Sequence, residues 1–247
     1  MLPEQAARRA LTPLEPQRQK LSDLAVERLV ELLMSRDLKP GDALPSEADL
    51  ARAFGVSKPV VREAMHRLVS MGVVDIRQGK PASVRAINSE PLALFFRFAM
   101  RASPRGLREA VELRRTLETD IAMQAAVHIT EAELVELAAV VEEMRAAGED
   151  PEAWVSADVR FHQLLARASG NSLVLFLIEA LRATMEETIR IMHAQRPLRD
   201  QNATFRRHVA IHQAIAARDP AAARAAMEAH FTATQPIVSA VIAARAS

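Results

Sequence analysis

No cysteine occurs among the 247 residues, which excludes disulfides and thiolate metal sites together. A reducing compartment fits that absence, and a cytoplasmic location is the expectation. Tyrosine is also missing and aromatics make up only 4% of the chain, so the core has to be aliphatic. The abundance of alanine and leucine makes it mostly helical. No apolar run approaches the length that crosses a bilayer, and no membrane partner is expected. The opening residues MLPEQAARRALTPLEPQRQ lack the apolar centre of a secretion signal and read as a mobile arm. Charge of one sign is lacking too, since 32 basic against 31 acidic residues leave a net +1. Any contact with a polyanion must therefore come from a local basic cluster and not from a long-range field.

What is present points to two domains of ordinary size. The 49% hydrophobic and 26% charged composition is that of a globular chain able to bury a substantial core. The expected fold is mainly α: an N-terminal winged helix-turn-helix over residues 20–86, behind an arm of residues 1–19, and a C-terminal antiparallel all-α bundle over residues 105–247. Residues 87–104 read as a linker with a short helix, because Leu92 to Met100 is too apolar to float free.

The segment from Leu44 to Val84 carries the first assignment. Pro45 stiffens its entry, Ser46 can cap a short helix, and Asp49 stands where an acid supports the same helix end. Leu50, Ala51 and Phe54 face inward, Gly55 supplies a left-handed turn, and Ser57 caps a second helix running to about Met71. Val61, Ala64, Met65 and Leu68 recur there at helical spacing, which leaves Lys58, Arg62, His66 and Arg67 to project elsewhere. Val73–Ile76 and Ala82–Arg85 read as two strands around the turn Gln78-Gly79-Lys80-Pro81, forming a wing. A supporting amphipathic helix is expected from about Lys20 to Arg36.

In these residues the chain resembles the GntR family of bacterial transcription regulators. The matching run is L-P-S-E-x-x-L-A…G-V-S…V-R-E-A…L…G-V-V from Leu44, followed by the glycine-bearing wing. The resemblance implies that the helix from Lys58 is a recognition helix, with Lys58, Pro59, Val60 and Arg62 meeting DNA and Gly79 and Lys80 at the wing tip. Ser46, Ser57 and Arg67 complete the candidate DNA-facing set. Where the family usually has an arginine after its Ser-Glu pair this chain has Ala48, which leaves open the phosphate or base contact made there. One helix-turn-helix reads only a few base pairs, so a homodimer on a palindromic double-stranded operator is expected.

From Arg105 onward no strand pattern occurs. Thr130 with Glu133, Gly148-Glu149-Asp150-Pro151, Gly170-Asn171, Arg196-Pro197 and Asp219-Pro220 mark off six helices of roughly fifteen to twenty-five residues. Asp158 and His162, four apart, project from one helical stripe and can grip one ion. His208 shares a face with Ile211 and Ile215, and His230 follows Met227 by one turn. Imidazole and carboxylate suit a divalent transition metal, and helical bundles assemble such sites from facing helices. The same residues can equally serve as hydrogen-bonded core histidines and an ion pair. His66, His128 and His193 have no convergent partners and receive no role.

The order Asp158-x-x-x-His162, His208, His230 behind such a reading head resembles the C-terminal effector (FCD) domain of the FadR-type GntR subfamily. That resemblance implies a metal held by one aspartate and three histidines; zinc or nickel lead, with manganese or iron as further options. Three histidines and one aspartate leave open positions on a six-coordinate ion. Arg114, on an apolar stripe with Leu107, Val111 and Ile121, needs an anionic partner, either Glu118 one turn on or a ligand. In the resembling subfamily an arginine of this E-L-R-x-x-L-E segment lies near the effector. The expected effector is therefore a small carboxylate held by Arg114 and the metal, with Glu118, Asn202, Arg206 and His212 as further pocket residues. The leading function is a repressor released by that acid. A metal-dependent hydrolase and a regulator with a purely structural ion are the alternatives; no catalytic residue is assigned, because no glutamate beside the ligands suggests itself as a general base.

Overall fold

A computed structural model describes residues 16–35, 37–86, 88–195 and 198–246, and the chain divides into two compact units, residues 1–91 and 92–247. In the first unit, helix α1 (Pro16–Ser35) starts four residues earlier than its apolar pattern suggested. Proline is tolerated at a helix start, where its missing N–H would be unpaired anyway. Of the expected arm, residues 1–15 lie outside the described residues and 16–19 are already helical.

Helices α2 (Glu47–Phe54) and α3 (Lys58–Ser70) form the helix-turn-helix. Ser46 caps α2 by accepting from the Asp49 amide at 3.2 Å, and Gly55 ends it at φ +68°, where its N–H reaches the Ala51 carbonyl. A side chain at that φ would be strained, so the tight turn depends on glycine. Ser57 occupies the N-cap of α3, yet its hydroxyl makes no capping bond, contrary to expectation. Pro59, at the helix start, has no N–H to offer a cap.

The wing is smaller than expected, with β1 (Val74–Asp75) and β2 (Ser83–Val84) pairing antiparallel. The sequence pattern missed a third contributor. Residues 41–44 run along β2, with a bridge between Ala43 and Ser83 and the Leu44 amide donating to the Ala82 carbonyl at 2.7 Å. Ala25 and Leu29 of α1, Leu50 of α2, Val61, Met65 and Leu68 of α3 and Val74 of β1 form this unit's core.

After α4 (Glu90–Ala102), the described residues of the second unit form seven helices where six were expected: α5 (Gly106–His128), α6 (Glu131–Ala147), α7 (Pro151–Ala168), α8 (Ser172–His193), α9 (Gln201–Ala216), α10 (Pro220–Thr232) and α11 (Gln235–Ala246). The extra break falls at Ala233 and Thr234, because Pro236 cannot donate to a helix continuing from α10 and its ring would clash with the preceding turn. Thr130 and Glu133 form the expected capping box on α6, and Asp150 with Pro151 starts α7. The expected stop at residues 196–197 lies outside the described residues. Gly106 carries a demand the sequence pattern did not show. A Cβ there would stand 1.8 Å from the Met100 carbonyl oxygen, so the turn from α4 into α5 closes only over glycine.

Trp154, Phe161, Leu137, Met144, Leu165, Ile178, Leu181 and Met185 fill the core of the second unit. α7 packs between α6 and α8 and also meets α5, while α10 lies against α5 and α9. That packing turns the polar residues of α5, α7, α9 and α10 toward one another.

Candidate functional site

Two surfaces carry the chemistry, one in each unit. On α3 the residues Val60, Val61, Ala64, Met65 and Leu68 are buried, leaving Lys58, Pro59, Arg62 and His66 exposed along one side. Val60, counted among the DNA-facing candidates, is 4% exposed and belongs to the core. It lies one helical turn before Ala64 and shares that residue's buried side.

Arg62 is exposed and pairs with Glu47, its Nη2 donating to Oε2 at 2.8 Å. The Glu47 hydrogen bond raises the Arg62 pKa further and lowers that of Glu47 itself. Arg67 is half-buried and pairs with Asp23 of α1, which makes it a brace between helices. Ser46 spends its hydroxyl on Asp49, while Gly79 and Lys80 sit exposed at the wing turn. Ala48 is half-buried and Ser57 exposed. Among the described residues Lys58 and Lys80 have no ion-pair partner.

In the second unit His162 of α7, His208 of α9 and His230 of α10 place ring nitrogens within 4.8 Å of one another, all three buried. Asp158, one turn before His162, puts Oδ1 3.3 Å from His162 Nε2 and Oδ2 3.7 Å from His208 Nε2. Ligands about 2.1 Å from a zinc-sized ion stand roughly 3–4 Å apart, so a modest contraction suits these four side chains to one cation.

The supporting bonds orient the rings. His208 Nδ1 donates to the Thr204 carbonyl at 3.0 Å, which directs the Nε2 lone pair into the cluster. His162 Nδ1 pairs with Glu118, whose other oxygen accepts from Arg114 Nε at 2.7 Å. Trp154 Nε1 donates to Asp158 Oδ2 at 3.2 Å. His208 Nε2 and His230 Nδ1 are buried with no hydrogen-bond partner among the described residues, a costly arrangement in an apolar core unless a ligand completes it.

Protonation follows from these surroundings. Burial pushes His208 down to about 4 and His230 well below the usual imidazole range, so both stand neutral with a lone pair to give. Burial alone would raise the Asp158 carboxyl, but His208 and His162 outweigh it and hold it well below the carboxylate range. Glu118 is likewise brought to about 2, with Arg114 and His162 overcoming its burial.

A cavity of about 140 Å³ opens onto this cluster, reaching Asp158, His230 and Arg114. Arg114 is 2% exposed, its Cζ lies 5.4 Å above the Phe231 ring, and its Nη2 has no hydrogen-bond partner. Glu118 lies behind Arg114 and does not line the cavity. Nor do Asn202, Arg206 or His212: the first two are exposed, with Arg206 3.8 Å from Asp200, and His212 is half-buried. From α9 the wall is formed by Thr204 and Arg207, and from the preceding turn by Arg199, whose Cζ sits 4.9 Å over Trp154. Sequence periodicity gave no sign of Arg199 or Arg207. One lies outside any helix and the other is a single residue away from His208, so only the tertiary fold reveals their common cavity.

A winged helix-turn-helix followed in the same chain by an all-helical unit defines a helix-turn-helix transcription regulator. Residues 21–84 match the family described as bacterial regulatory proteins, gntR family, and residues 109–233 match the FCD domain. The chain is 33% identical over 212 residues to the HTH-type transcriptional regulator LutR of Bacillus subtilis, covering 84% of this chain and 96% of that one. It is 29% identical over 217 residues to the HTH-type transcriptional repressor NanR of Escherichia coli K12, covering 87% and 82% respectively. Among solved structures, Streptococcus agalactiae GntR superposes with a TM-score of 0.64 at 26% identity, covering 86% of this chain and 98% of that one. The chain belongs to the GntR family of bacterial transcription regulators, with an FCD C-terminal domain. These relatives are regulators and not enzymes, and the hydrolase alternative is set aside with them. Among the described residues no helix is long and apolar enough to cross a membrane.

Proposed function

We propose that the chain is a repressor whose helical unit senses a small organic acid at a divalent metal held by Asp158, His162, His208 and His230. The observation that carries this reading is the cavity: it reaches Asp158 and His230 of the cluster and the unpartnered Nη2 of Arg114 together. A purely structural ion would need no such opening. When bound, the metal supplies a Lewis-acidic centre with coordination positions left for a carboxylate. The protein's own part is to aim the imidazoles through Thr204 and Glu118 and to offer the Arg114 guanidinium to the acid.

Two copies bind a palindromic operator, with Lys58, Pro59, Arg62, Gly79 and Lys80 facing the DNA. The repressor sign follows the printed name of the relative NanR. By linkage, an acid that prefers the DNA-free state weakens DNA binding, and DNA weakens the acid's binding by the same factor. Action on DNA in a bacterial cell supports a cytoplasmic location. Zinc or nickel are the strongest binders among the ions considered, ahead of manganese and iron, because the Irving–Williams order favours them at nitrogen donors.

The test is a thermal-shift screen of small carboxylates on metal-loaded protein, chelated protein and an Arg114→Ala variant. Stabilisation by a few acids that disappears on chelation or with Arg114→Ala is the expected result. Stabilisation by the metal alone, with every acid silent, would assign a structural ion and overturn the sensing role.

A further inference from the structure

Most arginines of this protein are ion-paired, among them Arg62 with Glu47, Arg114 with Glu118, Arg160 with Glu143 and Arg190 with Glu152. Arg199 and Arg207 depart from that habit. Both line the cavity at the metal cluster, and among the described residues neither guanidinium makes an ion pair or hydrogen bond, with Asp158 and Glu149 acting on Arg199 only through their field. Arg199 is half-buried and stacked over Trp154, whose indole N–H is the one that holds Asp158. A guanidinium withdrawn from water, held flat against an aromatic ring and left without a carboxylate is poised for an anion that arrives from outside.

The acids nearby do not satisfy them. Asp200, on the same wall, spends one oxygen on the Ala203 amide as the N-cap of α9 and lies 3.8 Å from Arg206. Asp158 is turned into the histidines and the Trp154 N–H. With Arg114 the cavity wall holds three guanidinium groups, while Val111, Ile189, Met192, Phe231 and Ile237 give it an apolar lining. Three guanidinium groups on one wall are more positive charge than a single carboxylate needs.

We infer that the effector is a dianionic acid, a dicarboxylate of about four to six carbons, with one carboxylate at the Arg114 and histidine end and the second on Arg199 and Arg207. Its size is limited by the cavity. At about 140 Å³ the cavity favours a compact acid. The inference rests on the sensing role proposed above and adds the second anionic end.

Calorimetric titration of metal-loaded, full-length protein with succinate and with butyrate separates the two claims, because the acids share a four-carbon skeleton and differ in one carboxylate. Succinate should bind at least tenfold more tightly than butyrate. Arg207→Gln and Arg199→Gln should each reduce that ratio to about twofold or less while leaving butyrate affinity within about twofold. Circular dichroism and an unchanged response to the metal show that each variant is folded; Arg207→Gln, which disturbs no ring stacking, serves should Arg199→Gln unfold. Equal binding of both acids by the unsubstituted protein, or a succinate preference that survives in both variants, overturns the inference and leaves the sensing role standing. Binding of neither acid overturns both.

Discussion

The two units of this chain treat charge in opposite ways. In the winged unit the basic residues lie at the surface and are loosely tied to acids nearby: Arg62 to Glu47, Arg67 to Asp23, Arg77 to Asp75 and Arg85 to Glu90. In the helical unit Arg114, Glu118, Asp158, His162, His208 and His230 are all buried, and several of their polar atoms have no partner. Exposed pairs exchange partners at little cost, so a phosphate can replace Glu47 on Arg62. Buried, partly unsatisfied groups are expensive unless a ligand completes them. On the proposed reading, the contrast separates a surface that engages a polyanion reversibly from an interior that takes up an ion and a small acid.

The largest effect that would break this contrast is expected at the histidines. His208→Ala should lose at least a hundredfold in metal affinity and abolish the metal-dependent rise in Tm, as read by calorimetry and thermal melting. Unaltered metal binding would show that the cluster is only a polar core. Next comes Arg114→Ala, which leaves buried Glu118 with His162 alone as its partner. It should cost about 3–5 kcal/mol in denaturant unfolding of the chelated protein, and a paired Arg114→Met, Glu118→Leu replacement should recover much of that loss.

Smaller effects belong to the winged unit. Arg62→Ala should leave Tm unchanged and weaken operator binding about tenfold by fluorescence anisotropy. Lys58→Ala should lower the slope of log K against log salt by about one while sparing sequence preference, as expected of a phosphate contact. The least change is expected from Arg67→Ala, whose pair with Asp23 is half exposed and should contribute under about 1 kcal/mol. A larger loss there would mean that the winged unit, too, depends on its charges for folding.

Much of this division is legible in the sequence, because both helices of the reading head carry local signals. Ser46, Gly55 and the stripe Val61, Ala64, Met65, Leu68 each act within a few residues, where propensity and capping decide. Val60 was misplaced on the DNA side although it stands one turn from Ala64; resemblance outweighed helical periodicity there, and burial reverses the choice. The i, i+4 spacing of Asp158 and His162 was legible for the same local reason. The convergence of His208 and His230 on that pair came from resemblance, since three helices distant in sequence must pack to bring them together. Arg199 and Arg207 were illegible by either route, and the cavity wall was assigned instead to Asn202 and Arg206, which face solvent. A one-residue rotation on α9 separates Arg206 from Arg207, about 100° of helix, and apolar periodicity on so polar a segment does not fix it.

The most direct test joins the two units. Full-length, metal-loaded protein would be bound to a duplex selected from a random pool, and anisotropy followed as succinate is added, with and without chelator and with Arg114→Ala. Release of the DNA by the acid only when metal and Arg114 are both present is the predicted outcome. DNA affinity indifferent to the acid, or altered equally in chelated protein, would contradict the assignment of the buried Asp158 and histidine cluster as the sensor that governs the reading head.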